Sequence, residues 1–271
     1  GGSWKQNLFY GITSLAEFGN RDTKYEDVGF RVIREDKYIT SLDQVQEING
    51  CNFLYGCPPS FSTAHPYCSI LRAVYLESYL ITWYCVTQYE YWEFLKFTSL
   101  YDHLPLNWDN KCLSTDFCPF SSDNGNKPVH GISYNDAKAY CKWKSEEISK
   151  DKKGIICLPS SEQWEKAARG IDGRLFPWGN TFSSGLANID GISNEPIPVN
   201  QFKKGKSIYG IFNACGNVCE FTSNITNEEK VEVRGGSWKD SYECGYTFAK
   251  KFVNIKEKFL DIGFRVVVKF T

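Results

Sequence analysis

The chain contains no methionine among its 271 residues. It therefore holds no initiating residue of its own and is expected to be an internal or carboxy-terminal piece of a longer protein. It also lacks a charge excess: 31 basic and 32 acidic side chains leave a formal charge of −1. That balance gives no electrostatic case for binding nucleic acid or an anionic membrane surface. No apolar run approaches the roughly 20 residues a bilayer-spanning helix needs. The richest stretch, residues 70–86, is interrupted by Arg72 and Glu77. No CxxC pair occurs among the cysteines, and with only His65, His103 and His130 no zinc spacing appears. What the chain does have is aromatic mass, 16% of its residues, and an odd count of 11 cysteines. Unpaired cysteines behave as small buried hydrophobes. Their number favours free thiols and a reducing, cytoplasmic compartment over disulfides in an exported protein.

Residues 1–33 and 235–267 repeat one another. Gly-Gly-Ser-Trp-Lys opens both copies, at Gly1 and Gly235, and Gly-Phe-Arg-Val closes both, at Gly29 and Gly263. Between these ends, and without a gap, Gly11 matches Gly245, Thr13 matches Thr247, Asn20 matches Asn254 and Asp27 matches Asp261. The spacing is that of a whole domain, not of a solenoid unit. The expected organisation is the tail of a preceding copy at residues 1–34, a polar linker at 35–49 and a complete domain at 50–271, a tandem arrangement. The orphan tail is expected to be loosely ordered or docked on a foreign surface.

Three helices are marked by their starts. Thr87-x-x-Glu90 is a capping box for a helix through residue 98. Ser133-x-x-Asp136 does the same for residues 137–149, and Ser160-x-x-Gln163 for 161–169, which Gly170 closes in a left-handed conformation. Short strands are expected at 79–81, 231–234 and 263–268. Elsewhere Gly, Asn, Pro and aromatic clusters predict irregular loops. The fold class is mixed α/β with little regular structure.

An ordered series of motifs runs through the second part. It comprises Asn52-Phe-Leu-Tyr-Gly56, Tyr84-x-Val-Thr87, Pro128-Val-x-Gly-Ile-Ser-Tyr134, Asp136-Ala-x-Ala-Tyr-Cys-x-Trp143 and Leu158-Pro-Ser-Ser-Glu-Gln-Trp-Glu-Lys-Ala-Ala-Arg169. It continues with Phe176-Pro-Trp-Gly-Asn180, Ala187-Asn-Ile189, Gly216-Asn-Val-x-Glu220, Arg234-Gly-Gly-Ser-Trp238 and Gly263-Phe-Arg265. This series resembles the formylglycine-generating-enzyme, or sulfatase-modifying-factor, family, and the chain reads as a divergent bacterial member. The resemblance implies an elaborated C-type-lectin-like fold. It also implies a copper-dependent oxidation of a sulfatase cysteine by two thiolates, at the third and eighth residues after the Gly-Gly-Ser serine. Those places are Asp240 and Gly245 here, and Gln6 and Gly11 in the first copy. Cys244 falls one residue short and is the one weak catalytic candidate. Copper is not expected. A calcium site is implied at Asn213, Gly216, Val218 and Glu220, hard oxygen donors of the kind calcium takes. The family's second calcium site keeps only Asn188 and Ile189.

The expected function is a sulfatase-modifying-factor-like binding module, without catalysis, in a larger multidomain protein. Lys239, Asp240, Tyr242 and Tyr246 would form the face that takes a protein or small ligand. The alternative is the copper-dependent oxidoreductase. Ser237 with His130 lacks an orienting third group and reads as structural. Arg234 and Arg265 read as buried ion-pair members, with Glu220 or Asp261 as partners. Trp143, Trp164, Trp178 and Trp238 read as core aromatics.

Overall fold

The fold was established from a computed structural model, which describes residues 42, 44–61, 68–114, 118–148 and 154–270. The amino-terminal repeat copy and the first part of the expected linker lie outside the described residues. All described residues belong to one unit, Tyr38–Thr271.

Strand β1 (Val45–Ile48) falls inside the segment expected to be linker. It pairs antiparallel with β4 (Tyr79–Thr82), Ile48 opposite Tyr79, and Ile48 is fully buried. Hydrophobic burial draws the end of that polar segment into the domain. A hairpin follows, formed by β2 (Cys51–Tyr55) and β3 (Arg72–Leu76). Strand β4 (Tyr79–Thr82) leads to helix α1 (Gln88–Thr98). The Thr87/Glu90 capping box is present, with the Thr87 amide donating to Glu90 at 2.9 Å. After a one-turn helix α2 (Ser122–Gly125) comes α3 (Tyr134–Ile148), three residues longer at its start than expected. Ser133 and Asp136 cap it reciprocally, each amide bonded to the other's side chain. Then β5 (Gly154–Cys157) precedes α4 (Ser161–Arg169), whose Ser160/Gln163 box also forms. Gly170 ends α4 at φ 81 and ψ −153, a glycine-only region, not the left-handed helical one expected.

The remaining strands are β6 (Cys219–Ile225), β7 (Lys230–Arg234), β8 (Lys250–Asn254), β9 (Ile262–Gly263) and β10 (Val267–Phe270). One sheet has the order β1-β4-β10-β5 and another β8-β7-β6-β9. The single strand expected at 263–268 is thus two. Its middle, Phe264–Val266 in sequence, crosses from one sheet to the other and carries Arg265 into the space between them. The largest apolar cluster joins α1 and α3 to β6 and β9 through Tyr91, Phe94, Tyr140, Phe221 and Phe264. A smaller aromatic cluster, Phe176, Tyr246 and Phe248 with Cys57 and Cys215, is built from loops. Of the four tryptophans expected in the core, only Trp164 is fully buried. Trp143, Trp178 and Trp238 are half-buried, the first two packed against the edges of clusters.

Candidate functional site

Two buried arginines set the frame. Arg265 meets Glu220 at two points, Nε to Oε2 at 2.5 Å and Nη2 to Oε1 at 2.6 Å. Glu220 also accepts from Trp164 Nε1 at 2.7 Å and from the Cys85 thiol at 3.4 Å. Arg234 pairs with Glu232 at 2.6 Å and with Glu165 at 3.0 Å. Arg169 and Lys250 complete that network. The arginines are therefore ion-paired as expected, but Asp261 is partner to neither. A charge this deep persists only when matched and hydrogen-bonded.

Arg234 ends β7 and delivers the chain into the closing module. Gly235 and Gly236 both take positive φ, 91 and 67. A Cβ on Gly236 would stand 3.0 Å from the Cys244 backbone. Only glycine makes this turn, and it drives Ser237 inward to complete burial. The Ser237 amide and hydroxyl both donate to Asp240 Oδ2, at 2.8 and 2.7 Å. Around that carboxylate lie Lys251 Nζ at 3.6 Å and the Cys219 thiol at 3.6 Å. Asp261 stands 3.8 Å from both Lys251 and Lys239. Of these groups Asp240, Lys251 and Cys219 border a narrow crevice of about 70 Å³, and Cys244 is also on its wall.

The electrostatics follow from burial. The Cys219 thiol is pushed far up by burial, and Cys244 is raised by burial and then by the Asp240 charge. Burial works against the Lys251 ammonium, yet the Asp240 and Asp261 carboxylates and a hydrogen bond to Cys219 hold its pKa above the usual value. Both thiols are thus protonated at neutral pH, which suppresses nucleophilicity and metal ligation alike.

At position 245 there is no room for a side chain. A Cβ on Gly245 would stand 2.5 Å from Cys215 Sγ and 3.0 Å from Ile189 Cδ1. Of the expected face, Lys239 is exposed, while Tyr242 is half-buried and stacks on Phe182 at 4.8 Å. Tyr246 is buried among Phe61, Phe176 and Phe248 and supports the face from beneath. Asp240 turns in towards Ser237 and is half-buried. His130 sits elsewhere, its Nδ1 donating to Leu260 O at 2.8 Å and its Nε2 accepting from Asn107 at 3.3 Å. It makes no contact with Ser237 that would activate a nucleophile. Lys251 and Cys219 escaped the sequence reading. Asp261 carried a signal, since its match to Asp27 survives in both repeat copies.

The implied calcium donors have mixed surroundings. Asn213 adopts φ 51, as asparagine tolerates, and its Nδ2 donates to Val199 O at 2.8 Å. Its Oδ1 is buried without a hydrogen-bond partner, as is Oδ1 of Asn188. An orphaned carbonyl oxygen of this kind suits a hard cation. Glu220, by contrast, already has both oxygens engaged by Arg265. Among the described residues no group of three or more His, Cys, Asp and Glu side chains is placed to hold a metal. No helix there is long and apolar enough to cross a membrane.

Comparison with known proteins agrees with this architecture. The structure of PvdO from Pseudomonas aeruginosa superposes with a TM-score of 0.68 at 20% identity, covering 83% of this chain and 94% of that one. The chain is 34% identical over 130 residues to the inactive C-alpha-formylglycine-generating enzyme 2 of Bos taurus, across 42% of this chain and 39% of that protein. It is 36% identical over 115 residues to the formylglycine-generating enzyme of Mus musculus, across 36% of this chain and 27% of that protein. The match thus spans well under half the length of these relatives. Residues 39–270 match the sulfatase-modifying factor enzyme 1-like domain, and the chain belongs to that family.

Proposed function

We propose that this domain is a non-catalytic member of its family, acting as a binding module in a larger multidomain protein. The observation that carries this is the space at position 245. Cys215 Sγ stands where a side chain on Gly245 would have to go. The other family position, Asp240, is a carboxylate tied to Ser237. A small-molecule site usually offers about 300 Å³ or more, and the crevice of about 70 Å³ favours a protein partner that inserts one side chain. Lys239 and Tyr242 stand on either side of Asp240 along the chain. A peptide array probed with the chain and with a Lys239→Glu/Tyr242→Ala variant tests the face. Spots lost with the variant support it, and equal binding by both proteins removes it.

The alternative, a copper-dependent oxidoreductase, draws on Cys219 and Cys244 bordering the same crevice. Copper(I) titration of the chain and of Cys244→Ser, followed by aerobic incubation with a Cys-x-Pro-x-Arg peptide, decides between them. Unchanged peptide mass supports the binding module; oxidation of the cysteine to the aldehyde overturns it.

We further propose one calcium ion at Asn213 Oδ1, with the carbonyls of Gly216 and Val218. Glu220, the fourth expected ligand, already accepts two bonds on each oxygen, from Arg265, Trp164 and Cys85, and would reach the ion only by giving one of them up. The unpartnered Asn213 oxygen supports this reading. Binding to the folded state alone raises the melting temperature by mass action. A calcium-dependent rise over a chelator control is expected, and no rise at millimolar calcium removes the ion.

A further inference from the structure

A hollow of about 650 Å³ shares no residue with the closing-module crevice. One wall is a face of α3. Tyr134, Lys138, Cys141, Lys142 and Ser145 recur there at three- and four-residue spacing, the period that aligns side chains along a helix. The other wall is β5 and the end of β6, with Ile155 and Ile225. Strand β5 closes its sheet at one edge, and that edge is bonded to the helix: Ser145 Oγ accepts from the Ile156 amide at 2.8 Å. Cys141, Ile156 and Leu158 are buried and give the hollow an apolar floor. Ile155 and Ile225 remain 48% and 49% exposed. Apolar side chains left open to solvent inside a concavity mark a ligand site, and such sites usually measure about 300–1,000 Å³.

The polar groups on this hollow are few and mostly of one sign. Lys138 and Lys142 stand one helical turn apart, and both are exposed. Lys138 Nζ lies 5.9 Å from the centre of the Tyr134 ring. Among the described residues no carboxylate is within ion-pair distance of either ammonium, whereas Lys144 on the same helix meets Glu147 at 2.6 Å. Glu146 also borders the hollow and pairs with neither lysine. Two positive side chains against one negative leave a single net positive charge beside an apolar floor.

We propose that this hollow binds a free long-chain monocarboxylate, its alkyl chain against Ile155, Ile156, Leu158 and Ile225 and its carboxylate between the Lys138 and Lys142 ammoniums.

The charge balance calls for a monoanion, and the floor calls for a body without polar atoms. A peptide would bring amides and carbonyls into the hollow, where the β5 edge at Ile156 is already taken by Ser145, and unpaired buried polar groups are costly. An alkyl chain brings none. The site is separate from the closing-module face, so the binding-module reading neither requires it nor falls with it.

The full chain is titrated with decanoate below its micelle threshold in a calorimeter. It is then treated with a limiting amount of an amine-acetylating reagent, with and without decanoate, and each lysine is mapped by mass spectrometry. At a ligand concentration about five times the Kd, Lys138 and Lys142 should react roughly sixfold more slowly. Lys203 and Lys204, exposed elsewhere, should react at an unchanged rate. Each buried methylene strengthens binding, so octanoate should bind about fifteenfold more weakly than decanoate. Decylammonium, the same chain with the opposite charge, should protect neither lysine. Lys138→Glu/Lys142→Glu, at two exposed positions, should melt with the parent and give no heat with decanoate. Unslowed acetylation of Lys138 and Lys142 in decanoate, or equal protection by decylammonium, overturns the proposal. Protection by polyglutamate or by anionic lipid vesicles without protection by decanoate also overturns it, and assigns the lysines to an acidic protein or to a membrane surface.

Discussion

Arg265 and Glu220 form a two-point ion pair in the space between the two sheets, where neither is more than 1% exposed. The same arginine donates to the carbonyls of Thr82, Trp83 and Phe212. One side chain thus ties together β4, the segment after it and the loop before Asn213. Removing one member leaves a buried charge unmatched, which costs about 3–5 kcal/mol. Arg265→Leu should lose that much in urea denaturation. A Glu220→Gln/Arg265→Leu double variant should lose less than the two single losses combined.

Position 245 yields a steric prediction. Placing a cysteine there does not rebuild a two-thiol site, because its Cβ would collide with Cys215 Sγ. Overpacking of this kind typically costs about 1–3 kcal/mol. Gly245→Cys is expected to be destabilised by that amount, measured by thermal unfolding. Adding Cys215→Ala should recover part of it. A Gly245→Cys variant as stable as the parent would show that the loop yields freely.

Cys244 is the exposed thiol of the crevice, and its pKa is raised by burial first and by Asp240 second. Its alkylation by iodoacetamide should therefore have a midpoint above the ordinary cysteine value of about 8.5. Asp240→Asn removes the negative neighbour, so the midpoint should fall and alkylation at pH 8 should quicken. Burial continues to act in the variant, and the fall should be partial. An unchanged midpoint would show that the Asp240 charge does not reach the sulfur.

Glu232 provides the pH dependence. Its burial opposes ionisation, but Arg234 and Lys250 outweigh that and hold its pKa below the usual carboxylate value. The unfolded chain therefore binds the proton more tightly than the folded one. Its contribution to stability is full above the unfolded pKa of about 4.3 and is lost as pH falls through the lower folded value. Glu232→Gln should reduce the difference in melting temperature between pH 6 and pH 3. A variant with the parent's full pH dependence would place the effect on other carboxylates.

Local order was legible wherever the signal was itself local. The capping pairs Thr87/Glu90, Ser133/Asp136 and Ser160/Gln163 all form because both partners sit within one helical turn. The family, too, could be read from motif order. The strand expected over 263–268 failed because its apolar pattern is continuous while its partners lie in two sheets. Tyr246 lies in the closing module where the face is expected, yet burial against Phe61, Phe176 and Phe248 claims its ring.

The sequence alone determined the duplicated closing module, the helix starts and the presence of Asp240 and Gly245 where the family resemblance implies cysteines. Those are matters of residue identity and short spacing. Tertiary structure decided what the replacements mean. It put Cys215 in the space beside Gly245, and Cys219 and Lys251 beside Asp240. These neighbours are separated by 11 to 30 positions along the chain. No periodicity or short motif couples residues that far apart; only the burial of aromatic loops and the matching of buried charges brings them together.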